Sequence, residues 1–507
     1  MSENNNKIEY LALVIYSFIT KFLVSINSIR FNEVFTDTDQ AIFFSIGKAM
    51  LHGKILYKDV FDHKTPYIYF FNAFAALFEK NHIGLYIIEV VLLSTILIFL
   101  YKTSLIFTSK FKSFMASIVM ATILSIPQIT FSYSRTEMYA IAFIMPVVYL
   151  FAKYFADVTA NVSSENRENE FSPIKMFVIG IFAALTLMTN IRAVVIFVPF
   201  AVALLIKLVK MKKIKNLCQV FVAGLVGVVV TILPYVIYAV FTESLNDAIY
   251  AIFTSNMNYA ESNFTFGKNI FKTALNFLSA NKVFFAFIFL SFILWFNLKI
   301  DKYIKYSIIS SMVITILYVI LSNRTNPYYI VILLPYLISI YFVIARFINF
   351  KINFSKNVVY IIMMILFLMM NIFINRDIII RYMNAEHRAD RINTAIKNYI
   401  DKENPKVLSF GFNPEVYIYT NSTVEYKYFF IPNIPYSADK TPYTAQYRYI
   451  MERDPDVIVY ANSNAGNDMP TTMFDQIRIT LSTSYNLVDE FKTNDFTGTF
   501  YIFIKKP

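Results

Sequence analysis

One short polar segment, residues 31–65, carries the side chains most able to do chemistry. Its ionisable members include Asp37, Asp39, Asp59, Asp62, His63 and Lys64. The segment lies between two apolar runs, Leu11–Ile29 and Ile83–Phe107, each long enough to cross a bilayer. Carboxylates and a lysine directly beside a membrane are costly to keep. We therefore interpret the segment as a loop that handles a charged substrate at the membrane surface.

Asp39 stands at the start of a helical pattern. The apolar residues at 42, 43, 46, 50 and 51 predict a helix with one apolar face, ended by Gly53. A carboxylate at a helix start is held in place and kept ionised, as a general base must be. Asp39 is therefore our candidate base, and a simple cap on an interfacial helix is the alternative. Asp37 is a second catalytic candidate, which could tune Asp39 through like-charge repulsion.

A second motif, Asp59-Val-Phe-Asp-His-Lys-Thr-Pro66, follows that helix at a short distance. Pro66 opens the apolar stretch Tyr67–Phe78, which is too short to span and is predicted to lie in the membrane interface. Lys64 would then stand at the amino-terminal end of this stretch, where an ammonium group and helix amides together attract phosphate. An interfacial anchor is the alternative for Lys64. We interpret His63 as a residue that orients Lys64 or substrate rather than as a metal ligand.

The composition is that of a membrane protein. Of 507 residues, 57% are hydrophobic, and the mean hydropathy of +0.51 lies well above that of soluble domains. The formal charge of +12 could indicate a nucleic-acid partner. However, the lysines cluster in short loops between apolar runs, as membrane topology requires, so we expect no nucleic acid. The single cysteine, Cys218, excludes disulfides and cysteine metal clusters.

The spacing of apolar runs predicts a polytopic α-helical membrane protein with about eleven transmembrane helices. The runs fall at about 10–30, 83–107, 113–131, 136–155, 173–190, 193–209, 216–241, 281–298, 303–321, 327–346 and 357–375. Basic loops after the second, sixth, eighth and tenth runs place the amino terminus in the cytoplasm and the carboxyl terminus outside. Two charges interrupt the pattern, Lys21 and Glu89, and each could face a polar cavity or reach an interface.

The character of the chain changes after residue 375. Short apolar runs at Val407–Phe410, Val416–Tyr419, Val457–Tyr460 and Thr499–Ile504 alternate with helix-like stretches at Arg381–Ile400 and Ala445–Arg453. These features predict a soluble α/β domain. We therefore expect a transmembrane catalytic domain at 1–375, with its first outer loop at 31–82, and an extracytoplasmic domain at 376–507.

With this orientation, every outer turn contributes polar side chains to one plane. Beyond the first loop they include Arg135, Glu137, Asn190, Arg192, Asn256, Asn258, Tyr259, Arg324, Tyr328 and Tyr329. Arg192 and Arg324 are candidates for a cationic clamp beside Lys64, with membrane anchoring as the alternative. Asp62, His63, Glu137, Asn256, Tyr259, Tyr328 and Tyr329 are candidates for substrate binding. The two adjacent tyrosines could equally belong to the aromatic belt of a membrane protein.

The order Asp39…Gly53-x-x-x-Tyr57…Asp62-His63-Lys64-x-Pro66 resembles the first outer loop of polyprenyl-phosphate-dependent glycosyltransferases of the GT-C fold. The resembling group contains the protein O-mannosyltransferases and the lipid A aminoarabinose transferase. The likeness extends over the span pattern, Glu137, Arg192, the turn from Arg324 through Tyr328-Tyr329 to Pro335, and the α/β tail. It therefore covers most of the chain.

The resemblance implies a GT-C-like membrane enzyme, a hexosyl or pentosyl transferase. Its donor would be a polyprenyl-phosphate-linked sugar, and its acceptor an extracytoplasmic envelope polymer, glycolipid or protein. It also implies that Asp39 is the catalytic base and that Lys64 contacts the lipid phosphate. The aminoarabinose transferases carry a glutamate at the position of His63, so no cofactor is assigned and a divalent metal stays open. With one base and direct displacement, we expect inversion at the anomeric carbon.

Three other functions share parts of this pattern. A lipid-linked glycan flippase or transporter would place charges or broken helices near the bilayer midplane, whereas this chain puts its charges at the ends of the spans, apart from Lys21. A polysaccharide polymerase or ligase would differ from the proposed transferase only in the size of its product. A non-catalytic envelope scaffold would use the tail as a binding module and would not need the Asp39 carboxylate.

Overall fold

The structure is a computed structural model. It describes residues 6–29, 38–78, 83–126, 135–160, 170–261, 275–276, 278–279, 281–321, 327–347, 356–383, 388–400, 402, 404–411, 414–420, 422–432, 434–461, 469–492 and 499–507. Asp37 and Arg324 therefore lie outside the described residues, as do the side chains of Tyr259 and Tyr328.

Helices dominate the chain up to residue 375. They are α1 (Lys7–Val24), α2 (Thr38–Leu51), α3 (Tyr67–Ala76), α4 (Ile83–Ser104), α5 (Lys110–Ile123), α6 (Thr136–Ala160), α7 (Pro173–Leu187), α8 (Val198–Lys210), α9 (Ile214–Phe241), α10 (Leu245–Ile249), α11 (Ser255–Glu261), α12 (Lys282–Asn297), α13 (Lys302–Leu321), α14 (Ile338–Phe347) and α15 (Lys356–Ile374). Ile191–Phe197 and Pro327–Leu337 form 3₁₀ helices, which lead into α8 and α14, and Tyr250–Thr254 forms a π-helix.

Each of the eleven predicted spans contains helix, but the predicted count is not confirmed. Among the described residues, four helical stretches are long and apolar enough to cross a membrane: Ile83–Ser104, Thr136–Thr159, Ile191–Lys210 and Ile214–Phe241. The helices in the other predicted spans do not meet this measure of length and composition over their described residues. Length and composition thus support a membrane location.

The tail contains α16 (Arg376–Met383), α17 (Arg388–Tyr399), β1 (Val407–Phe410), α18 (Val416–Tyr419), α19 (Thr441–Met451), β2 (Val457–Ala461), α20 (Thr471–Ser484), β3 (Tyr485–Lys492) and β4 (Thr499–Lys505). The strands form one sheet in the order β1-β2-β4-β3, with β1 parallel to β2 and the other pairs antiparallel. Its core includes Val407, Val457, Phe500 and Ile502, packed with Ile392 of α17.

Contacts divide the chain into two units. The first comprises residues 1–25, 87–235 and 266–376, and the second comprises residues 26–86, 236–265 and 377–507. The second unit therefore contains the polar first loop together with the whole tail. The domain boundary expected at residue 375 stays a prediction.

The first unit is a helical bundle. In it, α1 packs against α5 and α15, and α6 packs against α7. The two charges that interrupt the apolar pattern are paired here, because Lys21 Nζ lies 3.8 Å from Glu89 Oε2. Ser25 Oγ donates a hydrogen bond of 2.6 Å to the same carboxylate oxygen. Both charged side chains are almost fully buried, so neither of them reaches an interface.

Within the second unit, α2 and α3 run parallel, and this packing decides where the polar loop lies. Phe43 and Tyr69 make an edge-to-face contact with ring centroids 5.9 Å apart. Four residues further along both helices, Gly47 of α2 lies against Ala73 of α3. A Cβ atom added at Gly47 would lie 2.4 Å from the backbone nitrogen of Ala73. The pairings 43 with 69 and 47 with 73 share one offset, so the two helices run in the same direction and their amino-terminal ends lie on the same side.

The sequence predicted one apolar face for α2, and this expectation is wrong. Every residue from Gln40 to Ala49 is buried. The Gly47 contact explains part of the difference, because a glycine lets α3 approach the backbone of α2 directly. Polar residues on the other faces are also enclosed: Gln40, for example, donates a hydrogen bond of 2.6 Å to Asn27.

Replacing Gly47 by Ala should therefore destabilise this unit. The new methyl group cannot fit beside backbone atoms that are 2.4 and 2.5 Å away, so the two helices must separate. Overpacking of this kind costs about 1–3 kcal/mol, and we expect a lower midpoint of thermal unfolding. Leu51→Ala, an exposed change at the end of the same helix, is the control. An unchanged midpoint for Gly47→Ala would contradict the close packing of α2 on α3.

Candidate active site

The amino-terminal ends of α2 and α3 come together at the candidate site. Asp39 lies in the first turn of α2, which begins at Thr38, so it follows the helix start rather than capping it. Pro66 immediately precedes α3, as predicted, and Lys64 lies two residues before that proline. The amino-terminal ends of both helices, which are the positive ends of their dipoles, lie at the candidate site and favour the binding of an anion there. Asp39, His63 and Lys64 are all partly exposed.

Asp62, His63 and Lys64 form a connected chain of polar contacts. Asp62 Oδ1 lies 3.1 Å from His63 Nδ1, and Lys64 Nζ lies 3.1 Å from His63 Nε2. A lysine ammonium can only donate, so Nε2 accepts and the ring proton is on Nδ1, facing the carboxylate. His63 therefore contacts the Lys64 ammonium, and its role in orienting that group stays a prediction.

The electrostatics of the loop link Asp39 to this chain. Burial lowers the pKa of His63, and the Lys64 ammonium lowers it further. The negative charges of Asp62 and Asp39 act on the same ring in the opposite direction, so Asp39 lies within electrostatic reach of His63. Together with the parallel packing of α2 and α3, this places Asp39 and Lys64 at the same end of the helix pair.

Asp62 stabilises the conformation of the polar loop. Both of its carboxylate oxygens accept hydrogen bonds, Oδ1 from the backbone of His63 at 2.7 Å and Oδ2 from the hydroxyl of Tyr69 at 2.7 Å. Burial alone would raise the pKa of this carboxyl, but attraction to His63 and Lys64 and these hydrogen bonds lower it to about 2. Asp62 therefore stays ionised and positions its neighbours.

Sequence reasoning assigned no role to two tyrosines that support Lys64. Tyr57 donates a hydrogen bond of 2.6 Å to the backbone carbonyl of Lys64, and Tyr69 accepts one from the Lys64 amide at 3.3 Å. Tyr57 has a φ of +64°, a conformation that a bulky side chain rarely adopts. Both rings are fully buried and meet edge to face. The quoted motif includes Tyr57, but nothing in its spacing reveals the contact with Lys64.

Asn256 joins the site through the backbone. Its side-chain amide donates a hydrogen bond of 2.6 Å to the carbonyl of His63 and further bonds to the carbonyls of Ala251 and Ile252. It thus ties the short helical segment 245–261 to the polar loop. The backbone of Tyr259 continues the same segment in α11.

The tail also contacts the polar loop, through hydrogen bonds and an ion pair. Thr38 Oγ1 donates a hydrogen bond of 2.6 Å to Glu415, directly beside Asp39. Further along, Lys54 pairs with Glu425 at 3.0 Å, and the amide of Phe61 donates to the carbonyl of Lys427 at 2.9 Å. The tail is therefore placed to fix the geometry of the loop, a role that the sequence left open.

The remaining predicted site residues lie in the first unit. Thr136 connects two of its turns, because its hydroxyl donates to Glu137 Oε2 at 3.2 Å and accepts from Asn190 at 3.3 Å. Arg192 lies two residues beyond Asn190 in the 3₁₀ helix and is partly exposed. Tyr329 is in the 3₁₀ helix Pro327–Leu337, also partly exposed. Their role beside the loop stays a prediction.

A metal does not fit the contacts of the loop. The described part of the chain has no group of three or more His, Cys, Asp or Glu side chains arranged to hold an ion. At His63, the lysine ammonium already occupies the side of Nε2, where a second cation would be repelled. We therefore derive no step through a metal.

Acidification should weaken this loop. Because the pKa of His63 is lower in the folded protein than its usual 6.5, the unfolded chain takes up a proton first. The contribution of neutral His63 to stability is therefore complete above about pH 6.5 and is lost as the pH falls through the folded pKa. We expect the unfolding midpoint to drop between pH 7 and pH 5 more in the native protein than in His63→Gln. The exposed His52→Gln variant is the control and should behave like the native protein.

Comparison with known proteins gives a fold and no sequence family. No protein-family model and no curated protein sequence matches the chain. Among solved structures, ArnT from Cupriavidus metallidurans bound to undecaprenyl phosphate is similar with a TM-score of 0.61 at 10% identity, covering 99% of this chain and 98% of that one. Its apo state is similar with a TM-score of 0.57 at 11% identity and the same coverage. The GT-C fold expected from the sequence is thereby confirmed, as a mostly helical chain with a small carboxyl-terminal sheet.

Proposed function

We propose that this protein is an integral-membrane glycosyltransferase. It transfers one sugar from a polyprenyl-phosphate carrier to an acceptor outside the cytoplasm, which is an envelope polymer, a glycolipid or a protein. The observation that carries this proposal is the parallel packing of α2 and α3, which puts Asp39 at the start of α2 on the same side as Lys64, just before α3, with Asp39 in electrostatic reach of His63. A phosphate needs the positive charge, and an acceptor hydroxyl needs the base.

The chemistry requires few groups. The bond between the anomeric carbon and the phosphate oxygen breaks, and its electron pair leaves with the phosphate, which needs no protonation. The acceptor oxygen forms the new bond, and its proton passes to Asp39. Lys64 and the first amides of α3 stabilise the charge that grows on the phosphate. Attack opposite to the departing phosphate inverts the anomeric centre.

The orientation of Lys64 is essential to this mechanism. His63 Nε2 accepts a hydrogen bond from the Lys64 ammonium, while Tyr57 donates to the carbonyl of Lys64 and Tyr69 accepts from its amide. The ammonium is thus held in place before substrate binds. Preorganised charge of this kind stabilises a transition state without a cost of reorientation during the reaction.

Further residues enter the proposal from the sequence pattern, and Asn256 also contacts the polar loop through its hydrogen bond to the carbonyl of His63. Arg192 and Arg324 complete the cationic clamp, and Glu137, Asn256, Tyr259, Tyr328 and Tyr329 line the substrate path. Asp37 tunes the base. The protein lies in the cell membrane as a multi-pass chain, with the amino terminus in the cytoplasm and residues 376–507 outside.

The nature of the donor is supported by the similar structure. ArnT from Cupriavidus metallidurans has been solved with undecaprenyl phosphate bound, and this chain covers nearly all of it. A polyprenyl phosphate would present its phosphate at the membrane surface, where the loop of this chain holds Lys64. The likeness in fold and the contacts of the loop thus favour the same class of lipid.

One observation favours a transporter instead. Lys21 and Glu89 form an almost fully buried ion pair between helices of the first unit, and such pairs occur on the ion or proton pathways of transporters. However, a buried pair also serves to hold two helices together. Moving a lipid needs no general base, so the carboxylate of Asp39 favours the transferase.

The proposal is tested by the glycans of the cell envelope. Cells that lack the gene should lose one sugar decoration, and expression of the native protein should restore it. Expression of Asp39→Asn at an equal level should not. Loss of a complete polymer rather than a single sugar would instead identify a polymerase or ligase. An unchanged glycan profile would contradict the proposal.

A further inference from the structure

Two adjoining cavities lie in the first unit, and none of their lining residues belongs to the candidate active site. The outer cavity has a volume of about 410 Å³ and is lined by Thr108, Lys112, Lys299 and Asp301, among others. The inner one, of about 80 Å³, is lined largely by apolar side chains of several helices. Phe107, Trp295 and Phe342 line both and therefore form the wall between them.

The outer cavity has a positive character. Asp301 is its carboxylate, and both oxygens are occupied: Oδ1 accepts the amides of Tyr303 and Ile304 at the start of α13, and Oδ2 accepts the hydroxyl of Thr159 at 2.7 Å. In the described part of the chain, no carboxylate lies within ion-pair distance of the ammonium groups of Lys112 and Lys299. Two lysines thus face a space that an anion can enter.

The inner cavity has a polar group in its apolar wall. Ser104 is completely buried, and its hydroxyl has no hydrogen-bond partner among the described residues. A buried hydroxyl left without a partner costs free energy, which an acceptor entering the cavity would recover. An ester carbonyl is such an acceptor.

The position of the cavities matches a lipid headgroup. The outer cavity lies where α4 ends, α5 begins, α12 ends and α13 begins, so it is at the polar ends of apolar helices. That is the level of phospholipid headgroups in a bilayer. Basic pockets between membrane helices at this level bind anionic headgroups.

We propose that these cavities form a binding site for an anionic glycerophospholipid. Lys112 and Lys299 hold the phosphodiester, one ester carbonyl accepts a hydrogen bond from Ser104, and part of an acyl chain passes the aromatic wall into the inner cavity. A lipid held here joins the ends of four helices. It would act as a structural ligand of the bundle, independent of sugar transfer.

The test measures lipid binding to the purified full-length protein by native mass spectrometry. The probes are phosphatidylglycerol, phosphatidylcholine and glycerol 3-phosphate. We expect phosphatidylglycerol to bind at least tenfold more tightly than phosphatidylcholine. Lys112→Ala with Lys299→Ala should weaken phosphatidylglycerol binding roughly 10- to 30-fold, since each lysine contributes on the scale of surface lysines beside anionic lipid. Ser104→Ala should weaken both lipids, because both carry the ester.

A matched control removes two other lysines. Lys210→Ala with Lys215→Ala deletes the same charge from exposed positions that do not line the cavities, and it should leave phosphatidylglycerol binding unchanged. Equal losses in both double variants would mean that general surface charge attracts the lipid, which would overturn the site. Binding of glycerol 3-phosphate as tight as that of phosphatidylglycerol would assign the cavity to a soluble phosphate and would also overturn it.

Discussion

Asp39→Asn should leave a folded protein whose rate of sugar transfer is about 10²–10⁴-fold lower, the usual contribution of a general base. The amide keeps the size of the carboxylate and its place in the first turn of α2 but cannot accept the acceptor's proton. The affinity for the lipid donor should change little, because the phosphate is held by Lys64. Initial rates with a radiolabelled lipid-linked sugar measure the effect.

A neighbouring carboxylate provides the control. Asp59 lies in the same loop, and its side chain accepts a hydrogen bond of 2.8 Å from the amide of Ile55. An asparagine keeps that acceptor oxygen, so Asp59→Asn should retain transfer within a few-fold. If Asp39→Asn remained equally active, Asp39 would be an ordinary residue of the helix start, and the proposed mechanism would lose its base.

Lys64→Met should lower transfer by about 10²–10³-fold and should also weaken donor binding. The methionine keeps the length of the side chain but removes the charge that opposes the growing charge of the phosphate. KM for the donor should rise and kcat should fall, since the phosphate carries charge both before and during the reaction. This pattern separates Lys64 from Asp39, whose loss affects kcat alone.

Lys58→Met is the matched change for Lys64. Lys58 lies in the same loop but contacts Glu243 at 3.4 Å and the carbonyl of Thr242, and its side chain is partly exposed. We expect nearly native rates from this variant. Equal defects in the two variants would point to loss of the loop structure rather than to phosphate binding.

The sequence predicted the local parts of the site well. The helix from Asp39 toward Gly53 and the apolar helix after Pro66 are confirmed as α2 and α3. Both have clear end signals, a glycine with φ of +86° and a proline before the first helical residue. Such signals act within a few residues, so sequence reasoning can detect them.

The sequence could not predict how α2 and α3 pack. The packing that brings the starts of α2 and α3 to the same side depends on the contact between Gly47 and Ala73, which are 26 residues apart in the chain. A lone glycine within a helical pattern reads as a mild destabiliser, and only its neighbour in space reveals the close approach. The support of Lys64 by Tyr57 and Tyr69 is a tertiary property of the same kind.

The tail shows where short patterns mislead. The runs at Val407–Phe410, Val457–Tyr460 and Thr499–Ile504 predict strands and are confirmed by β1, β2 and β4. The run at Val416–Tyr419 predicts the same and is wrong, because it forms α18. A run of four apolar residues does not distinguish a strand from a helical turn. The sequence does not predict β3, because half of its residues are polar or charged and they do not alternate regularly with the apolar ones.

The central claim is tested most directly by following both the sugar and its carrier in proteoliposomes. Native protein with a lipid-linked radiolabelled sugar and an envelope extract as acceptor source should yield a labelled acceptor and free polyprenyl phosphate in equal amounts. Neither should form with Asp39→Asn or Lys64→Met. If the sugar instead stayed on its carrier and only crossed the bilayer, the protein would be a flippase, and the proposed transfer chemistry would be contradicted.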